Sequence, residues 1–203
     1  MPVGDKHLIR DCMGFEYTPD MIKESRETNN GKVILQGVLQ KAETLNQNGR
    51  VYPHDLLERE VTNYQKFIRE GRAMGELDHP DSSVIGLKNV SHIVREAVFD
   101  GSIVYGKVEL LNTPSGKILQ SLLESGVTLG ISSRGVGSTR RDGNKQVVQD
   151  DFQLICWDFV SEPSTPGAFM LKEGKISEEE INKFFTRSDR IDRILNDIIS
   201  LEK

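Results

Sequence analysis

The 203-residue chain predicts an α+β fold, a mostly antiparallel sheet with a few helices. Three observations predict it. Residues 90–98 and 102–111 are rich in Val, Ile and Leu, and Asp100-Gly101 between them is a hairpin turn signal. Leu57, Val61, Tyr64 and Ile68 recur at helical spacing ahead of Gly71, which predicts an amphipathic helix over 54–70. Thr113-Pro114 supplies an N-cap and a first-turn proline for a short helix faced by Ile118, Leu119, Leu122 and Leu123 and closed by Gly126.

The remaining segments follow in order. Residues 1–31 read as a polar, irregular segment ending in the turn Asn29-Asn30-Gly31, and 32–39 as a strand. Residues 46–50 and 75–86 are loops by composition. Residues 127–133 form a strand that runs into a Gly-rich turn, Arg134-Gly135-Val136-Gly137. Asp142-Gly143-Asn144 is a turn, and 147–160 holds one or two strands broken near Asp150-Asp151. Pro163 and Pro166 end the regular part. After the linker Glu173-Gly174-Lys175, Ser177 and Glu180 form a capping box. Ile181, Phe184, Phe185, Ile191, Ile194, Leu195 and Ile198 then predict an appended amphipathic helix. Three parts result: 1–31, 32–172 and a tail over 173–203.

Bulk composition narrows the function. Apolar residues make up 36% and charged residues 28%, the balance of a soluble globular chain. No apolar run is long enough to span a bilayer, and the N-terminus lacks the order of a signal peptide. A formal charge of −5 argues against general nucleic-acid binding, which needs a basic face. Cys12 and Cys156 lie far apart and read as reduced thiols. There is no nucleotide fingerprint or phosphate-binding loop, and no cofactor or metal is expected.

Two unusual segments carry the candidate chemistry. One is Ser132-Ser133-Arg134-Gly135-Val136-Gly137; the other is Gly75-Glu76-Leu77-Asp78-His79-Pro80. In the strand over 127–133, the apolar residues 127, 129 and 131 share a face that Ser133 continues, while Ser132 falls on the other with Thr128 and Gly130. His79 precedes a proline, which restricts it to extended backbone and helps hold the imidazole in one orientation. If the fold joins them, they are a nucleophile and its base; if not, they are two ordinary loops. His7, His54 and His92 are weaker candidates for the base. A pair of this kind needs a third group to set the imidazole tautomer. In 154–160 the even positions Leu154, Cys156, Asp158 and Val160 share a face, and an aspartate among apolar neighbours must be paired. Asp158 is therefore the best orienting carboxylate. A competing reading takes Glu76, Asp78, His79 and Asp81 as ligands of a divalent cation.

At these residues the chain resembles the prohead core proteases of T-even-like tailed phages, which are related to the herpesvirus assemblins. The resemblance rests on Asn48-Gly49-Arg50-Val51-Tyr52-Pro53, Gly75-Glu76-Leu77-Asp78-His79-Pro80, Val104-Tyr105-Gly106-Lys107 and Gly130-Ile131-Ser132-Ser133-Arg134-Gly135-Val136-Gly137-Ser138. Their order and spacing cover about residues 32–170. The resemblance implies an assemblin-like β-barrel flanked by helices, with 32–172 as a protease domain. It implies Ser132 as nucleophile and His79 as base. In the assemblin relatives the third member is a histidine; here Asp158 stands at a similar separation. N–H groups around Ser133 to Gly135, with Arg134, are candidates to stabilise an oxyanion. The implied reaction is cleavage after Glu, with an apolar residue two positions earlier, in scaffold and capsid proteins and in the enzyme itself. Leu171-Lys172-Glu173 and Ile22-Lys23-Glu24 fit that pattern and predict self-cleavage after Glu173 and Glu24. Leu122-Leu123-Glu124 fits the letters but falls in a predicted packed helix. The setting implied is the host cytoplasm, inside the assembling prohead, with a homo-oligomeric enzyme. A non-catalytic capsid-assembly component of the same fold is the alternative.

Overall fold

The computed structural model describes residues 7–15 and 19–161. The tail over 173–203 and the Glu173 junction lie outside these residues. In chain order the elements are β1 (His7–Phe15), α1 (Pro19–Thr28), β2 (Ile34–Lys41), β3 (Arg50–Val51), α2 (His54–Arg69), β4 (Met74–Glu76), β5 (Val90–Asp100), β6 (Ile103–Leu110), α3 (Pro114–Glu124), β7 (Leu129–Gly137), β8 (Thr139–Asp142), β9 (Lys145–Val148) and β10 (Gln153–Val160). The class is α+β, as the pattern predicts. The described strands fall into three sheets, ordered β1-β7-β10, β2-β6-β5-β4 and β3-β9-β8, rather than one closed barrel. All pairings are antiparallel except β3 with β9.

Helices α2 and α3 form where the periodicity places them. On α2 the apolar stripe of Leu57, Val61 and Tyr64 is buried, and the Tyr64 ring meets Trp157 of β10 edge-on at 4.8 Å between centroids. That contact packs α2 behind the strand that carries Asp158. Thr113 caps α3 by accepting from Gly116 N at 3.0 Å, while its own hydroxyl donates to Val90 O, tying the helix start to β5. Gly126 closes α3 in the left-handed region, at φ +78°.

Three expectations are corrected. The expected irregular segment over 1–31 holds two regular elements, β1 and α1. His7–Phe15 pairs along its whole length with β7, and Ile22 of α1 is fully buried in the core. A strand that takes an edge place in a sheet is held by backbone hydrogen bonds, so its side chains need show no strong pattern. Second, β7 does not turn at Arg134 but runs on to Gly137 between β1 and β10. Its glycines serve close packing rather than turning. A Cβ on Gly135 would overlap the Phe152 ring and lie 2.6 Å from Gln153 O. Third, β10 carries a bulge. Leu154 stands opposite Gly135 but Cys156 opposite Arg134, so Leu154 leaves the face that Cys156 shares with Asp158. The buried Glu60 of α2 accepts Leu154 N at 2.9 Å, and Arg59 donates to the carbonyls of Asp150 and Phe152. These contacts hold the bulge where strand pairing lapses.

Gly135→Ala is expected to lower stability by about 2–3 kcal/mol, because the methyl meets packed ring and backbone atoms. Urea unfolding measures it; an unchanged midpoint would show that β7 and Phe152 can separate freely.

Candidate active site

Ser132 and Asp158 are direct partners in the β7–β10 ladder, so their side chains rise on the same face. The loop after β4 brings His79 over them. Two features shape that loop. Asp78 adopts φ +70°, which Asp tolerates better than most residues, and its N–H donates to Phe159 O at 2.7 Å. Asp78 Oδ1 then accepts His79 N at 2.9 Å, and Pro80 restricts the backbone of His79 before it.

The imidazole bridges the pair. His79 Nδ1 lies 2.9 Å from Asp158 Oδ2, and Nε2 lies 2.5 Å from Ser132 Oγ. An ionised carboxylate only accepts, so Nδ1 carries the proton and Nε2 is left to accept from the serine hydroxyl. Ser132 is 1% exposed, and 15% of the His79 side chain reaches solvent, so the imidazole is the solvent-facing edge of the pair.

Asp158 is fully buried and fully engaged. Its Oδ1 accepts from Glu76 N at 2.9 Å, Arg134 Nη2 at 3.2 Å and Cys156 Sγ at 3.2 Å. Its Oδ2 faces His79 Nδ1 and lies 2.8 Å from Arg134 Nε. Burial acts to raise its pKa, but the His79 hydrogen bond, the Arg134 charge and the Glu76 N–H together hold it below the ordinary carboxylate value.

Arg134 is not on a turn, and the structure gives it a different task from the one expected. Its guanidinium is buried and pairs with Glu76 as well as Asp158, while Nη1 donates to Ser82 O at 2.7 Å. Burial opposes its charge, but the Cys156 sulfur and then the Asp158 and Glu76 carboxylates hold its pKa above the ordinary value. Buried against these carboxylates and Ser82 O, the guanidinium is not offered to an oxyanion. Ser133, Arg134 and Gly135 lie in a central strand, where backbone N–H groups point sideways into two ladders. The expected oxyanion turn is thus absent from these three residues.

The cation-site reading also fails on geometry. Glu76 is buried against Arg134 and accepts Gly86 N, His79 faces Ser132 and Asp158, and Asp81 pairs with Arg10. Glu24 lies on α1, beside the buried Ile22, and its carbonyl accepts the Thr28 hydroxyl. A scissile bond there is helical, a correction to the irregular segment expected. Leu123 and Glu124 lie in α3 with Leu123 fully buried, as the pattern predicts. Cys156 is a free, buried thiol whose pKa burial raises.

The sequence underrated Glu76, Arg134 and His92. Period-two counting from Ser132 places Arg134 on the same face, and the demand of Asp158 for a buried cation points to it. His92 is fully buried beneath the site. Its Nε2–H donates to Trp157 O and its Nδ1 accepts from Ser91 Oγ, both at 2.9 Å. Gly75 makes room: a Cβ there would overlap the His92 ring and Trp157 O. Burial pushes the His92 pKa down to about 4, against the opposing pull of Asp158 and the Trp157 carbonyl.

Between pH 6.5 and 4 the unfolded His92 binds a proton that the folded one refuses. His92 therefore makes stability fall as pH drops through that window, by up to about 3 kcal/mol. Asp158, with its lowered pKa, adds a loss only below the ordinary carboxylate range. Denaturation midpoints at pH 7 and pH 4.5 are expected to converge in His92→Gln relative to the unsubstituted protein. Equal slopes in the two proteins would show that His92 does not control this window.

A profile of the family described as prohead core protein serine protease matches residues 19–180. The prohead core protein protease of Enterobacteria phage T4 is 29% identical over 162 residues, covering 77% of this chain and 76% of that protein. Among solved structures, the bacteriophage T4 capsid assembly protease aligns with a TM-score of 0.67 at 22% sequence identity, covering 79% of this chain and 100% of the other. The structural likeness establishes a shared fold, mostly antiparallel sheets with helices. Since the matched span covers most of the chain, and the strands and loop that carry Ser132, His79 and Asp158 with it, this chain belongs to the prohead core protein serine protease family.

Proposed function

We propose that this chain is a serine endopeptidase of phage head maturation, with Ser132 as nucleophile, His79 as general base and Asp158 as the orienting carboxylate. The observation that carries this reading is the unbroken hydrogen-bond chain from Ser132 Oγ through both imidazole nitrogens to Asp158. Ser132 attacks the scissile carbonyl as Nε2 takes its proton, and the imidazolium then protonates the leaving amine. Water releases the acyl group by the same route. The buried charges favour this cycle. Asp158 and Glu76 face one guanidinium, a formal charge of −1, and the proton arriving on His79 compensates it.

The named activity of the T4 relatives, capsid assembly proteolysis, supports scaffold and capsid proteins as substrates and the assembling prohead as the setting. The enzyme cuts after Glu with an apolar residue two positions earlier, and Leu171-Lys172-Glu173 is its site on itself. That cut separates 173/174 at the composition break and removes the tail. The Glu24 bond becomes a substrate only where α1 unwinds.

The full chain is expected to shorten to a product ending at Glu173, measured by intact mass. Ser132→Ala is expected to remain full length and to be cut when mixed with active enzyme. Shortening of Ser132→Ala alone, at the unsubstituted rate, removes Ser132 from the mechanism. Asp158→Asn is expected to lower kcat by roughly 10³–10⁴-fold, since an amide disturbs the imidazole tautomer and leaves Arg134 with one carboxylate fewer. Chelator is expected to leave the rate unchanged; inhibition by it would favour metal-assisted hydrolysis.

A further inference from the structure

The Asn48-Gly49-Arg50 motif has no part in the Ser132–His79–Asp158 chain, yet it is built with care. Asn46 Oδ1 accepts the N–H groups of Asn48 at 3.0 Å and Arg50 at 2.9 Å, and Gly49 turns at φ +70°. The turn so fixed points two donors at one carbonyl of β1. Asn48 Nδ2 lies 2.9 Å and Arg50 Nη1 3.0 Å from Arg10 O. Arg10 is thereby pinned by its backbone.

Arg10 stands opposite Arg134 in the β1–β7 ladder, where Cys12 stands opposite Ser132. Opposite residues share a face, so the Arg10 side chain rises on the face of the nucleophile, diagonal to it at roughly 7–8 Å. The two arginines of this face differ in kind. Arg134 is buried and held by Glu76, Asp158 and Ser82 O. The Arg10 side chain is 35% exposed, and among the described residues its charge partner is Asp81, 95% exposed, at 3.0 Å. Asp81 comes from the same loop as His79, two residues on. An ion pair so open to water is weak. A carboxylate arriving on a substrate chain covers the pair from water and exchanges for Asp81 on a fork whose geometry suits carboxylates.

We propose that Arg10 binds the acidic side chain of the substrate residue beside the scissile bond, and that Asp81 occupies its place in the free enzyme. The assignment rests on the endopeptidase reading above and gives its preference for Glu a physical source. The Asn46–Arg50 turn acts as a positioning element for Arg10.

The test digests an unstructured peptide library with the full-length protein and its Arg10→Gln, Arg10→Lys and Asp81→Asn variants. Mass spectrometry reads the residue before each cut, and kcat/KM is measured on a peptide pair differing only in Glu or Gln there. The unsubstituted enzyme is expected to favour Glu over Gln by tenfold or more. Arg10→Gln is expected to erase the preference through a raised KM for the Glu peptide while still cutting the Gln peptide. Arg10→Lys is expected to keep part of the preference, and Asp81→Asn all of it. A Glu preference that survives in Arg10→Gln overturns the assignment while leaving the endopeptidase reading intact. Equal loss in Asp81→Asn and Arg10→Gln reduces the pair to a structural latch. An unsubstituted enzyme that cuts Glu and Gln peptides alike takes the acidic preference itself away, and a protein that cuts nothing takes the protease reading with it.

Discussion

The buried carboxylate of Asp158 is the group on which the rest of the site depends. An isolated carboxylate in a protein interior costs several kcal/mol, and only complete pairing offsets it. Here the pairing comes from four places in the chain: the backbone of β4 at Glu76, the loop imidazole of His79, the guanidinium of Arg134 on β7 and the thiol of Cys156 on β10 itself. Any of these segments that drifts leaves a buried charge short of a partner. The same contacts that hold the imidazole in one tautomer therefore also dock β4 and its loop against β7 and β10. The geometry of the candidate site and local stability are one network, and Glu76 extends it by giving Arg134 a second carboxylate.

Behind that polar face lies an apolar one on the same strand. Trp157 and Phe159 flank Asp158 in sequence and point the opposite way, Trp157 onto Tyr64 of α2 and Phe159 onto the buried ring of His92 at 4.8 Å. β10 is thus anchored by ring packing on one side while presenting its carboxylate on the other. The approach of β4 is close enough that position 75 must be glycine, since any side chain would meet the His92 ring and the Trp157 carbonyl. Glu60 and Arg59 hold the bulge that sets the phase of β10. Without the bulge, strict alternation would still put Asp158 beside Cys156, but Leu154 would join the polar face instead of leaving it.

Much of this was legible along the chain, for definite reasons. The α2 stripe, the Thr113-Pro114 start and the Asp100-Gly101 and Asp142-Gly143-Asn144 turns are local signals, and each stands within a residue or two of its expected place. Asp158 is legible because a carboxylate among apolar residues requires a partner. What stayed hidden was non-local. β1 shows little pattern because its place is set by the backbone of β7. Gly135 and Gly137 read as turn residues because a sequence does not distinguish a glycine that bends from one that is packed against Phe152. Arg134 reads as part of that turn because the pairing of β1 and β10 that continues the strand is non-local.

The sequence by itself determined the class of fold, the helices α2 and α3, the hairpin turns and the candidate serine, histidine and aspartate, because these follow from periodicity, turn chemistry and the cost of burying charge. Tertiary structure alone decided which partner each group would meet. The register of β7 against β10 set Ser132 opposite Asp158, the left-handed step at Asp78 carried His79 over both, and the closeness of β4 turned Glu76 and Arg134 into a buried pair. Those outcomes depend on distances between segments far apart in the chain, and no local preference encodes them.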